Sequence, residues 1–220
     1  MFRAMLYTQW KWSRPAILLA VIVGGWIPIS ALRSWPYKTM DSYYIPSLYS
    51  SIASAGFGYQ MLALAVAVVV AISAWQADAH GKHVYALSLP IARWKFVLLR
   101  FAAGASLLGA VAVAVGLFSG VAAALAPLPP MLHAYPVGLA VRFWLGSLIP
   151  FGLIFALLVS SSRRVRVVVA AVATLFVVDW LLAAFGVTET TVMTRWLFAS
   201  LYDGGGPLTA FLTRWMFIDV

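Results

Sequence analysis

Residues Trp75 to Lys95, WQADAHGKHVYALSLPIARWK, form the longest polar interruption in a chain otherwise built of apolar runs. A charged lead-in, the amphipathic turn VYALSL at 84–89, and then Pro90, Arg93 and Lys95 separate two hydrophobic segments. That order suits a short helix lying on a membrane surface, not one inside it. The apolar runs on either side then decide the fold class, an all-α polytopic membrane protein.

Composition supports this. Of 220 residues, 64% are hydrophobic and 10% charged, where a soluble domain carries about 25% charged residues. Mean hydropathy is +0.96. The absence of Cys excludes disulfides, thiolate metal sites and cysteine nucleophiles. The absence of Asn removes every N-x-S/T glycosylation acceptor. An Ala, Val, Gly and Arg bias points to a GC-rich bacterial genome, and hence to a plasma (inner) membrane. The formal charge of +9 would suit a nucleic-acid partner, but the basic residues sit at the ends of apolar runs. Membrane topology accounts for them better, so no nucleic acid is expected.

Taken in order, residues 1–14 read as an amphipathic interfacial helix. Phe2, Met5, Leu6, Trp10 and Trp12 share one broad face, with Arg3, Tyr7, Thr8 and Lys11 opposite and Gln9 an outlier within the apolar side. Phe2, Leu6, Trp10 and Lys11 are its expected contacts with lipid headgroups. Span 1 follows at 16–32, with Gly24, Gly25 and Pro28 as kink positions, and is kept as an anchor, not a cleaved signal peptide. Residues Arg33–Gly56 read as an interfacial loop with a belt of Trp35, Tyr37, Tyr43, Tyr44 and Tyr49.

The remaining spans are expected at 57–75, 96–126, 137–159 and 165–186, with Pro150 a kink. The third is long enough to require tilt. Ala112, Gly116, Gly120 and Ala124 recur every four residues along it, a small-residue stripe suited to internal helix packing and less to a dimer face. Residues 187–220 contain two short apolar segments around Asp203-Gly-Gly-Gly-Pro207. They read as external short helices, or the last one opens a sixth span that the sequence cuts short.

Lys and Arg on alternate loops set the orientation. Arg3, Lys11, Arg14, Lys82, Arg93, Lys95, Arg100, Arg163, Arg164 and Arg166 fall on one side. Arg33, Lys38, Arg142, Arg195 and Arg214 fall on the other. The excess places the amino terminus and residues 76–95 in the cytoplasm.

Asp179 is the one acid deep within a span, a functional candidate by default. It lies seven residues from the outer end of span 5, and Arg142 about five from that of span 4. Their depths differ by only ~3 Å, so the two are expected to pair or to face a shared polar cavity. The alternative is separate snorkelling to the outer interface, with Trp180 as an anchor. His80 and His83 have helical spacing but no third ligand nearby, and a solvated basic surface explains them better than a metal. His133 stands alone. Ser119 lies outside any G-x-S-x-G arrangement, and there is neither H-E-x-x-H nor a Walker A loop. No catalytic residue, metal or cofactor is expected in this chain.

The polar lead-in with Asp78 and Gly81, the LSLPIAR run at Leu87–Arg93 and Lys95 after it resemble the permease subunits of ABC-2 type transporters. The basic amphipathic amino terminus, the span order and the short outer helices after span 5 are similar too. The resemblance implies a six-helix permease that works as a dimer, with a second copy or a homologous permease, on two cytoplasmic ATPase subunits that carry ATP and Mg. It makes residues 1–14 a connecting helix and 76–95 a coupling helix region, with Asp78, Gly81, Tyr85, Leu87, Leu89, Pro90 and Arg93 toward the ATPase. The function expected is transport, in the export direction. An intramembrane lipid-modifying enzyme using Arg142 and Asp179, or a non-transporting scaffold, are the alternatives.

Overall fold

A computed structural model describes residues 2–33, 44–80, 92–126, 132–160 and 215–219, and the positions 167, 170, 171, 174, 175, 177–179, 181, 182, 184 and 185. They are mostly helical. The long elements are α1 (Phe2–Arg33), α2 (Tyr44–His80), α3 (Arg93–Leu125) and α4 (Pro136–Val159). Two short strands accompany them, β1 (His133–Ala134) and β2 (Ile218–Asp219). All four helices are long and apolar enough to cross a membrane.

With 32, 37, 33 and 24 residues, these helices are about 48, 56, 50 and 36 Å long at 1.5 Å per residue. The hydrocarbon layer is ~30 Å thick. The first three therefore extend well beyond it or tilt within it.

Two expectations are corrected. No break separates an interfacial helix at 1–14 from span 1, because α1 runs unbroken through Pro15 and Pro28. Proline within a membrane helix removes one backbone bond that neighbouring helices and hydroxyls compensate. The loop expected at Arg33–Gly56 is helical from Tyr44 onward. Extending an existing helix adds one hydrogen bond per residue fixed, so a span carries its flanks with it even when they lack strong periodicity.

The described residues fall into two compact units, Met1–Phe155 with Arg214–Val220, and Ala156–Thr213. In the first, α1 packs along both α2 and α3. A Cβ at Gly24 would come within 2.9 Å of Val115 Cγ2 and 3.4 Å of Leu62 Cδ2, so the three helices meet closely there. Gln9 reaches Arg100 and Gly24 faces Val115, so α1 and α3 run parallel. Gly24 facing Leu62 and Gly58 facing Ile27 make α2 antiparallel to α1. On α3, Gly104 faces Phe151 and Gly116 faces Ala140, so α4 returns antiparallel. A Cβ at Gly116 would lie 2.8 Å from that of Ala140, and one at Gly120 3.7 Å from Pro136. The small-residue stripe is thus used for internal packing at these two positions.

The face that α1 buries is Met5, Gln9, Ser13, Ile17, Ala20, Gly24, Pro28 and Ala31, spaced three and four apart. It differs from the apolar face read from the sequence, since Trp12 and Phe2 are exposed and Gln9 and Ser13 are inside. Lipid rewards an apolar exterior, and polar side chains find partners only between helices. Buried serines return their hydroxyl protons to their own helices. Ser13 donates to Gln9 O at 2.7 Å, Ser73 to Val70 O at 2.9 Å and Ser147 to Trp144 O at 2.8 Å.

At the end where α3 gives way to α4, β1 and β2 pair antiparallel, His133 opposite Asp219 and Ala134 opposite Ile218. Tyr135 N donates to Phe217 O at 2.7 Å. Trp215, Phe217 and Ile218 are buried, and Trp215 stands edge-on to Phe143 at 6.3 Å. Residues 215–219 are therefore extended, which corrects the external helix expected over this part of 187–220 and the start of a sixth span there. Residues 187–214 lie outside the described residues. Phe155 lies at the end of the unit that holds Trp75 and Phe101, and Trp215 at the opposite end with Phe143 and Gly56.

The second unit contains helical turns between 167 and 185, with Thr174 Oγ1 donating to Ala170 O at 2.8 Å and Phe185 N to Leu181 O at 2.9 Å.

Candidate functional site

The starts of α1 and α3 and the ends of α2 and α4 converge on one end of the first unit. Arg100, two turns into α3, is the centre of that convergence and is only 4% exposed. Its guanidinium carbon lies 4.8 Å from the ring centroid of Trp75 on α2 and 4.9 Å from that of Phe96, one turn earlier on α3. Cation–π attraction to a ring face at this range strengthens as water is excluded. The backbone carbonyl of Arg100 accepts a hydrogen bond from Gln9 Nε2 of α1 at 3.1 Å. Trp75 packs at 5.4 Å on Phe155 of α4, which is 5.5 Å from both Phe101 and Phe151. One cation, one amide and a chain of aromatic rings thus join four helices.

The cluster has polar capacity in reserve. Gln9 Oε1 and Trp75 Nε1 are buried without a hydrogen-bond partner among the described residues. Nearby surfaces are basic. Arg3, Lys11, Arg14, Arg93 and Lys95 are all exposed along the first turns of α1 and α3, and Lys95 Nζ lies 5.4 Å over the Trp94 ring.

Of the residues singled out by sequence, Arg93 opens α3 after Ala92, whose carbonyl accepts from Lys95 N at 2.9 Å and Phe96 N at 3.2 Å. Asp78 lies in the last turns of α2, which extends through residues 76–80. Gly81, Tyr85, Leu87, Leu89 and Pro90 lie outside the described residues. Phe2 and Lys11 are exposed on α1, and Leu6 and Trp10 half-buried. Arg142 is half-buried on α4 in the first unit; Asp179 is 5% exposed and belongs to the second. Each has at least one interaction partner. His133 is exposed on β1, while Ser119 is buried and donates to Gly116 O at 3.1 Å.

Sequence reasoning noted Gln9 only as an outlier on the apolar face and treated Arg100 only as a topological charge. Two signals were available: a glutamine on the apolar side of an amphipathic face, and a cation inside an apolar run seven residues beyond Arg93.

A second feature is an open groove of about 650 Å³ between α3 and α4, lined by apolar residues including Leu117, Val121, Val137 and Val141. It holds no chemistry beyond packing. Comparison of the chain with protein families, curated proteins and solved structures gave no match, so the residues and their geometry carry the functional argument.

Proposed function

We propose that the chain is the permease subunit of an ABC transporter, forming the membrane pathway and coupling to a separate cytoplasmic ATPase, in the export direction. ATP and Mg are bound by that partner, and a second permease copy or a homologous permease completes the pathway. The observation that carries the reading is LSLPIAR at Leu87–Arg93, set between two membrane-length helices whose facing ends, at Trp75 and Phe96, meet on Arg100. A permease needs no catalytic group, only two global states and a surface through which the ATPase biases them.

Five crossings with a cytoplasmic amino terminus complete the proposal, in a bacterial inner membrane. They are supported by the positions of Phe155 and Trp215 at opposite ends of the first unit and by the excess of Lys and Arg at the convergent end. The proposed fifth is the apolar run at 165–186, where the described positions include helical turns.

The test is purification of the full chain from its native membrane, followed by assay of vanadate-sensitive ATP hydrolysis. Wild type brings an ABC ATPase with it. Replacing Leu87 and Leu89 with Asp leaves insertion intact and abolishes both the ATPase chain and the hydrolysis. A wild-type preparation without ATP hydrolysis, or a double variant that retains it, overturns the reading.

A further inference from the structure

Movement of the polar stretch at 76–95 reaches all four helices only if the ends of α2 and α3 that flank it are tied to α1 and α4, and Arg100 occupies the place where such a tie belongs. We infer that Arg100 is the positioning residue that transmits displacement of the adjoining ends of α2 and α3 to α1 and α4. This rests on the proposed permease function and deepens it, since it names where movement passes from the ATPase side into the helices.

The geometry argues the point step by step. Trp75 and Phe96 bracket residues 76–95 in the sequence, and the guanidinium of Arg100 contacts both rings, at 4.8 and 4.9 Å. A load on either helix end therefore acts on the same cation. From there two further contacts lead onward. The Arg100 carbonyl holds the Gln9 amide of α1 at 3.1 Å. Trp75 presses on Phe155 of α4 at 5.4 Å. The Trp75, Gln9 and Phe155 contacts join three different helix pairs.

The choice of residue is informative. Removing a guanidinium from water is unfavourable, and a leucine here would pack without that penalty. Aromatic faces offset the penalty and add a preference that packing lacks: the cation must stay over both rings, so the rings move together. Arg suits this better than Lys because its planar head stacks on rings while its stem packs. Gln9 fits the same logic, being 2% exposed and directed at a backbone atom that moves with α3.

The experiment uses the full chain with its ATPase partner in lipid nanodiscs, comparing wild type, Arg100→Met, Arg100→Lys and Trp75→Leu. Hydrogen exchange is followed at residues 5–13 and 71–75, and ATPase capture and stimulation of ATP hydrolysis by the permease, relative to the ATPase alone, are measured on the same samples. Arg100→Met is expected to leave capture within about twofold and to lower stimulation about tenfold, the scale of a desolvated cation–π contact. Exchange should rise in α1 and α2 together, although neither is mutated, and Arg100→Lys should restore part of both. Stimulation retained in Arg100→Met, or lost in proportion to capture, overturns the inference. So does exchange that rises only within 96–104. If Arg100→Met fails to accumulate, Trp75→Leu decides by the same readouts. If wild type captures no ATPase, the permease reading fails by itself, and the exchange experiment still decides whether Arg100 ties the helices.

Discussion

Tyr59 shows what a single buried hydroxyl means in this fold. It lies on α2 with a fully buried side chain, and its hydroxyl has no hydrogen-bond partner among the described residues. An unsatisfied hydroxyl in an apolar setting costs roughly 1–3 kcal/mol, whereas the same ring without it packs equally well. Tyr59→Phe is therefore expected to leave stability unchanged or to raise it by about 1 kcal/mol. Reversible unfolding in mixed micelles measures it, and a loss above about 1 kcal/mol would mean that the hydroxyl has a partner the fold depends on. Gln9 is the contrasting case. Its amide is used, on Arg100 O, so truncation to Ala removes a bond and opens a cavity together, for which about 2–3 kcal/mol is expected. The two residues look alike in sequence, as polar interruptions of apolar runs, and only the partner across the helix boundary distinguishes them.

At the scale of elements, close approach between helices is set by a few glycines, and they are not equivalent. A Cβ at Gly104 on α3 would overlap Phe151 Cζ, whereas one at Gly152 on α4 would meet Phe101 Cε2 at 3.9 Å, an ordinary contact. Phe151 has little room to retreat, being fully buried and packed at 5.1 Å on Phe101 and 5.5 Å on Phe155. Gly104→Ala should thus lower stability by about 1–3 kcal/mol through overpacking. Gly152→Ala should be neutral or gain up to ~1 kcal/mol from helix propensity. Equal effects in the same unfolding assay would show that α3 and α4 do not meet in this register. Much of this level was legible in the sequence: the bounds expected for spans 3 and 4 lie close to α3 and α4, and the Gly116 stripe was assigned to packing. The buried face of residues 1–14 was misread because a helical wheel ranks faces by polarity. In a bundle surrounded by lipid, Gln9 and Ser13 turn inward while Phe2 and Trp12 turn outward. The extended run at 215–219 was misread because its apolar residues fit a helical period as well as a strand, and its partner at 133–135 is some eighty residues away in the chain.

At the scale of the whole molecule, the pairing of β1 with β2 makes a statement about topology that hydropathy alone does not. If His133–Ala134 and Ile218–Asp219 pair, the residues that follow α3 and those that close the chain lie on one side of the membrane. The first turn of α3, with Arg93 and Lys95, lies on the other. Under the proposed orientation, with the amino terminus cytoplasmic, the β1 side is external. The chain contains no cysteine, so single substitutions report cleanly. His133→Cys, at an exposed position, should react with a membrane-impermeant maleimide added to whole cells. Arg93→Cys, also exposed, should react only after the membrane is opened. An alkaline phosphatase fused after Val220 should be active, and a green fluorescent protein fused at the same place should be dark. The two parts of the argument fail separately. If the carboxyl-terminal reporter and His133→Cys report the same side but that side is cytoplasmic, the charge count is wrong and the β1–β2 pairing stands. If they report opposite sides, the strands cannot pair, the chain crosses an even number of times between Phe155 and Trp215, and the five-span proposal falls with the pairing.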